Sequence, residues 1–304
     1  MIKKSTSIHN INADRKLNNI QKVLYLLFNY INSLFPYANL DNKLRILDFS
    51  CDDLRMYWAR TPSASSPSRK LCDLFWLSLP WGRIREELGE INILDIGCGS
   101  GEYGRRLTEW SDNKLSSYTG MDVYKNENWI KLKKEYPVFN FCQHNAADIL
   151  NHIPEGSNFF MSQSTIEHLD EDLLYFEQVR DYILRYQRSV MQVHLFPSSA
   201  CLPLYYSHGV RQYTPRTISK ISRLFKDFSY TVLFRLGGRE CNHLHYNFIT
   251  KPLLRRKVET PRGIETKEYD RRLFMAIKDD MSRPQKYPAF YALVICSNMG
   301  EKIF

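Results

Sequence analysis

The sequence predicts an α/β fold: a doubly wound, mostly parallel seven-stranded sheet with an N-terminal helical extension and an insertion before the last strand. Three observations carry this expectation. From Ile91 onward, short apolar runs alternate with amphipathic segments, the pattern that buries parallel strands between two helical layers. The run Ile93-Leu94-Asp95-Ile96 leads directly into the alternating glycines Gly97, Gly99 and Gly101. Thr214 followed by Pro215 has the form of a capped helix start with proline in its first turn.

Taken in order, the apolar runs place strands at 92–96, 117–122, 138–143, 158–162, 190–196, 230–235 and 290–297, with helices between them, the clearest at 170–188 and 215–225. Residues 237–288 are too many for an ordinary connection and are read as a substrate-side insertion within a main domain of 91–304. Ahead of that domain, the Pro/Ser-rich stretch after Thr61 reads as a linker, and 61–90 as linker plus lead-in helix. In the 1–60 extension, Leu17, Ile20, Val23, Leu24, Leu27, Phe28, Ile31, Leu34 and Phe35 recur every three or four residues until Pro36. That spacing predicts an amphipathic helix whose apolar face packs on the main domain or on a second copy in a homodimer. The segment Ile46-Leu47-Asp48-Phe49-Ser50-Cys51-Asp52 echoes 93–99 without its glycines; it reads as coincidence or as a buried strand.

Composition excludes several classes. With 304 residues, 43% of them apolar and 25% charged, the chain can bury a large core, and neither disorder nor a disulfide scaffold is expected. Seven scattered cysteines suit reduced thiols and a cytoplasmic setting. No apolar run follows the first residues as in a secretory leader, and the longest apolar stretch, 23–28, is too short to span a bilayer. A net charge of +9 favours anionic ligands without saying which.

The glycines carry the chemistry. Bare backbone at a strand end lets a ligand touch the main chain, and the helix that follows offers unpaired N–H groups to an anion. Gly99-Ser100-Gly101-Glu102-Tyr103-Gly104 formally matches a dinucleotide fingerprint. Counted from Gly97, however, Glu102 falls where the third glycine belongs, and a carboxylate there repels a pyrophosphate. The stretch instead resembles motif I of the class I S-adenosylmethionine-dependent methyltransferases, small-molecule branch. Further motifs over about 91–230 are similar to that family in the same order: Ser117-Tyr118-Thr119-Gly120-Met121-Asp122, the turn His144-Asn145-Ala146-Ala147-Asp148-Ile149, and Ser162-Gln163-Ser164-Thr165-Ile166-Glu167-His168-Leu169. The resemblance implies S-adenosylmethionine as cofactor, with contacts from Asp95, Gly97, Cys98, Gly99, Gly101, Asp122, Val123, Asn145, Ala146, Ser162 and Gln163. Within it Asp95 orients the methionine amino group, Asp122 holds the ribose, and Asn145 stands where the family has aspartate against the adenine.

A hydroxyl acceptor needs a base with a pKa near neutral, which makes histidine the natural candidate. His168 is the first choice and His208 the second. The competing structural role for the first is a helix start, since Ser164-x-x-Glu167 also has the form of a capping box, while His194 sits inside a strand pattern and reads as a core residue. Glu167, Arg211 and Tyr213 are expected at the acceptor mouth. Basic residues between Lys251 and Arg272 form either a solvated helix face or a phosphate site on the substrate. Cys241, His243 and His245 lack a fourth ligand, and no metal is expected.

The expected activity is O-methylation of a small molecule such as a surface-saccharide or nucleotide-sugar precursor. Two rivals stand beside it. An RNA methyltransferase would suit the charge, but the fourth strand end lacks the Asp/Asn-Pro-Pro-aromatic pattern that resembles amino-methylating enzymes of nucleic acids. A non-catalytic binding subunit would have no need of the glycines and Asp122.

Overall fold

In the computed structural model, which describes residues 4–63, 65–206, 208–255 and 267–304, the chain forms one eight-stranded sheet. The strands are β1 (Leu44–Asp48), β2 (Asn92–Ile96), β3 (Ser117–Asp122), β4 (Phe139–Gln143), β5 (Phe159–Gln163), β6 (Val190–Pro197), β7 (Ser229–Leu236) and β8 (Phe290–Ser297). Their order is β1-β7-β8-β6-β5-β2-β3-β4, and only β8 runs antiparallel to its neighbours. The expected strands thus form within a residue or so of their predicted bounds. The expected count of seven is corrected to eight: the glycine-free echo at Ile46 is a strand, added at the edge by parallel pairing of Leu44–Asp48 with Thr231–Arg235.

Alternating side chains of the central strands feed two cores. Phe159, Met161 and Ile93 face a cluster that contains Leu71, Phe75 and Trp76, whereas Leu94, Ile96 and Phe160 face Phe176, Val179 and Ile218. Complete burial on both faces is what the unbroken apolar runs require.

The stretch after Thr61 does not separate two bodies. Ser66 caps the helix Pro67–Ser78, with Pro67 in its first turn, and ten of its twelve residues are buried in the main core. The Lys70 ammonium, pulled down to about 8 by burial, donates to Thr61 Oγ1 and the Pro62 carbonyl and lies 4.2 Å from the Trp58 ring centre. The 237–288 stretch includes the helices Arg239–His245, Lys251–Leu254 and Lys267–Met281; Leu273 and Ile277 join Cys241 in the same core. Asp280 accepts from Gly238, Glu240 and Cys241 N–H groups and so closes the start of Arg239–His245. Of the basic residues in this stretch, Arg256, Lys257 and Arg262 lie outside the described residues.

The N-terminal helix, Asn19–Ser33, forms with the capping box Asn18/Gln21, but of the two surfaces expected for its apolar face it does not meet the first, the main domain. Tyr25, Asn29 and Asn32 are buried, whereas Ile20, Val23 and Phe35 are 72%, 65% and 75% exposed. Its contact with the domain is made by hydrogen bonds: Tyr25 Oη donates to the His208 carbonyl, and Asn29 Nδ2 to the Val210 carbonyl. The apolar stripe therefore does not pack on this chain's own domain. No helix among the described residues is long and apolar enough to cross a membrane.

Candidate active site

The carboxyl ends of β2 and β5 open onto a crevice of about 740 Å³, lined among others by Asp95, Gly97, Cys98, Gly99, Gln163 and His208. Its size and its place at the strand ends suit a nucleotide-like ligand. The loop after β2 has φ of 71° at Gly97, 53° at Gly99 and 78° at Gly101, values that L side chains rarely adopt. A Cβ on Gly97 would lie 2.2 Å from Thr165 Cγ2, so that glycine is required by packing. Around Gly99 a Cβ would meet nothing within 4 Å, which leaves bare backbone facing open space. Two residues from the helix Asn128–Glu135 and its surroundings pin the loop from behind: Trp129 Nε1 donates to the Gly99 carbonyl and Asn128 Nδ2 to the Ser100 carbonyl. No motif signals that role, because it depends on a helix start that packs beside the loop only once β3 is in place.

Two carboxylates flank this loop. Asp95 is 2% exposed; Tyr118 Oη donates to its Oδ2 at 2.6 Å, and its Oδ1 has no partner. Burial, opposed by the Tyr118 bond and reinforced by the Asp122 charge, raises its pKa to about 7. A buried acceptor without a donor is unfavourable unless a ligand completes it. Asp122 at the end of β3 turns toward the loop, where its Oδ2 accepts from Gly99 N–H at 2.8 Å and its Oδ1 from Tyr124 N–H at 3.1 Å. A carboxylate retains further lone pairs for hydroxyl donors after those two bonds.

The remaining expected cofactor residues divide. Val123 is 45% exposed next to Asp122, and Asn145 is an exposed turn residue whose Oδ1 accepts from Ala147 N–H. Ala146 is buried in the one-turn helix that this bond starts. Gln163 lines the crevice and accepts from Trp76 Nε1. Ser162 departs from expectation: it is fully buried behind the crevice with its Oγ 2.9 Å from His194 Nδ1. His194 is a core residue, held neutral by burial that lowers its pKa to about 3.

The structure brings together His168 and His208, 40 positions apart, with ring centres 4.6 Å from each other. His208 lines the crevice; His168 stands beside it on the turn Ile166–His168. Ser164 has φ +54° and caps nothing, so the capping-box alternative does not form. Glu167 lies between the histidines, fully buried, with Oε1 3.4 Å from His208 Nε2 and 3.9 Å from His168 Nε2. Gly209 makes the approach possible: a Cβ there would stand 2.7 Å from the Glu167 carbonyl oxygen. On the other side of His168, Asp14 Oδ2 lies 2.6 Å from Nδ1. Burial pulls the His168 pKa down, but the Asp14 bond and the Glu167 and Asp14 charges outweigh it, and the pKa is raised. Sequence reasoning misses Asp14, which arrives from a segment 154 residues away.

Arg211 and Tyr213 are not at the mouth, contrary to expectation. Both are fully buried. The Arg211 guanidinium donates to the carbonyls of Leu169 and Asp170 and lies 3.6 Å from Asp172, to which Tyr213 Oη also donates. Together they tie the N-terminal segment to the domain, because Thr6 bonds the same Asp172 carboxylate. The crevice arginines are instead Arg69, on the helix Pro67–Ser78, and Arg106, on the helix Glu102–Trp110 that also carries Tyr103; each lies 5.5 Å from the Tyr103 ring centre. Lys251 to Arg272 contributes Tyr269 to the lining, and His245 and Ile249 enter from the helical turns before it.

No protein-family model matches the chain, and no curated protein matches it. Among solved structures it is similar to the plantazolicin methyltransferase BamL in complex with a triazolic desmethylPZN analog and SAH: 13% identity, TM-score 0.47, 80% of this chain and 86% of that one. It is also similar to a SAM-dependent methyltransferase from Archaeoglobus fulgidus, at 23% identity and TM-score 0.41 over 71% of this chain and 92% of the other. A cyclopropane-fatty-acyl-phospholipid synthase-like protein from Lactobacillus casei shows 12% identity and TM-score 0.41 over 80% and 98%. Likeness of this degree does not assign the chain to a family.

Proposed function

We propose that the chain is an S-adenosylmethionine-dependent methyltransferase that methylates a hydroxyl of a small-molecule acceptor, with a surface-saccharide or nucleotide-sugar precursor as the leading class. One observation carries this reading: a crevice is lined by the bare backbone of Gly99 and by Asp95 with its unpartnered buried oxygen, and Asp122 is bonded to the Gly99 N–H of the same loop. These three features fit, in order, the methionine chain, its ammonium and the ribose hydroxyls of the cofactor, in agreement with the motif order along the sequence.

When bound, the cofactor supplies an electrophilic methyl on a sulfonium. The chain's own residues supply position. Asp95, itself 2% exposed, would accept from the ammonium, Arg69 and Arg106 offer guanidinium groups to an anionic ligand, and His208, which also lines the crevice, meets the acceptor.

Replacement of His208 or of His168 by Ala is expected to lower turnover by roughly 10²-fold or more, with cofactor affinity by calorimetry retained. Radiolabelled methyl from the cofactor, offered to a cell extract split into RNA, glycan and small-molecule fractions, should appear in the glycan or small-molecule fraction. Label in RNA would move the assignment to nucleic acid. Absence of cofactor binding would leave only a binding subunit.

A further inference from the structure

Glu167, His168 and His208 each offer a ligand atom within 4.8 Å of the others. Two features separate this cluster from an ordinary ion pair. A carboxylate that simply pairs with imidazole closes to hydrogen-bond distance, as Asp14 does on His168 at 2.6 Å. Glu167 does not: it keeps 3.4 and 3.9 Å from the two Nε2 atoms, and neither of its fully buried oxygens has a hydrogen-bond partner. A carboxylate so placed is unfavourable unless a cation completes the group. The 3.4 Å between Glu167 Oε1 and His208 Nε2 is also that of two ligands around an ion. Bonds of about 2.1 Å in tetrahedral array set donor atoms about 3.4 Å apart.

The Asp14 contact fits the same purpose. A proton held on Nδ1 by a carboxylate leaves the Nε2 lone pair of His168 free on the Glu167 side, the arrangement that orients metal-bound histidines. Gly209 and the bond from Val210 N–H to the Glu167 carbonyl hold the His208 loop in register against it.

We propose that Glu167, His168 and His208 bind one divalent transition-metal ion, with Asp14 as the positioning residue for His168. Two imidazoles and one carboxylate suit zinc, manganese or iron(II) and leave coordination positions open. Because His208 lines the crevice, those positions are reached from the acceptor side, and the ion serves to hold an oxygen donor of the acceptor. The role, though not the site, rests on the methyltransferase reading; on this view the histidines act on the acceptor through the ion and not as free bases.

The test uses the full chain, stripped with chelator and then dialysed against Zn²⁺, with Co²⁺ as an optical probe. One ion per chain is expected, together with a cobalt visible spectrum of low-symmetry nitrogen and oxygen coordination. Glu167→Gln and His208→Ala should weaken Zn²⁺ by 100-fold or more, and Asp14→Asn by 10–100-fold. Calorimetric titration with S-adenosylmethionine serves as a check that each variant is folded. Substoichiometric ion in the wild type, or equal affinity in folded Glu167→Gln, overturns the site. Tight ion binding with no cofactor binding would leave the site standing and remove the proposed activity.

Discussion

Asp95 is buried with one carboxylate oxygen unpartnered, a cost that the cofactor ammonium would relieve on the proposed reading. Its carboxyl titrates near 7 in the fold against about 4 in an unfolded chain, chiefly because burial disfavours its charge. The native state therefore holds a proton that the unfolded state has released between those values, and stability declines as pH rises through that window. Two outcomes follow. Cofactor affinity, measured calorimetrically, should increase as pH rises through about 7, because only the ionised carboxylate pairs with the ammonium. Asp95→Asn should flatten that profile and weaken the cofactor at least tenfold. The same variant should raise the thermal midpoint of the unliganded protein at pH 8 by about 2–5 °C. A lower midpoint would show that the carboxylate is already satisfied without ligand. The place of this acid, two residues before a glycine, is legible from sequence; its burial and the Tyr118 partner are not.

Among the elements, the N-terminal helix gives the sharpest test of packing against pattern. Its apolar spacing correctly forecasts a helix, but the buried face is the polar one, because the surface it meets presents carbonyl oxygens of the 208–210 loop. Val23→Ser and Leu27→Ser should each change unfolding free energy by no more than about 0.5 kcal/mol, as for exposed positions. Asn29→Leu, which removes a donor from the Val210 carbonyl, should cost about 1–3 kcal/mol by denaturant titration. If the pattern instead ruled packing in solution, the two results would be exchanged. Hydrophobic period fixes the type of an element and leaves open what it faces.

Across the whole molecule, the N-terminal segment is a strap bonded to the segments that carry His168 and His208. Lys4 N–H reaches Glu171, Thr6 reaches Asp172, Ala13 N–H bonds the Gly209 carbonyl, and Asp14 reaches His168. Arg211 is its lock, since the guanidinium also bonds Ser5 Oγ. Arg211→Met should cost about 3–5 kcal/mol, because Asp172 is left buried without its cation. The loss should be accompanied by faster proteolysis within the first 16 residues, whereas Lys251→Met, at the start of the helix Lys251–Leu254, should show neither effect.

By itself the sequence determined the alternation of strands and helices, the order of motifs, and the glycine loop with Asp95 and Asp122, because each is a local matter of period, propensity or backbone sterics. Only the folded chain decided that the echo at Ile46 joins the sheet, that Arg211 and Tyr213 point inward, and that Asp14, Glu167, His168 and His208 meet. Those outcomes depend on contacts between segments up to 206 residues apart, such as Ser5 with Arg211. Such contacts are set by which surfaces remain to be covered once the sheet has closed, and no local pattern encodes that.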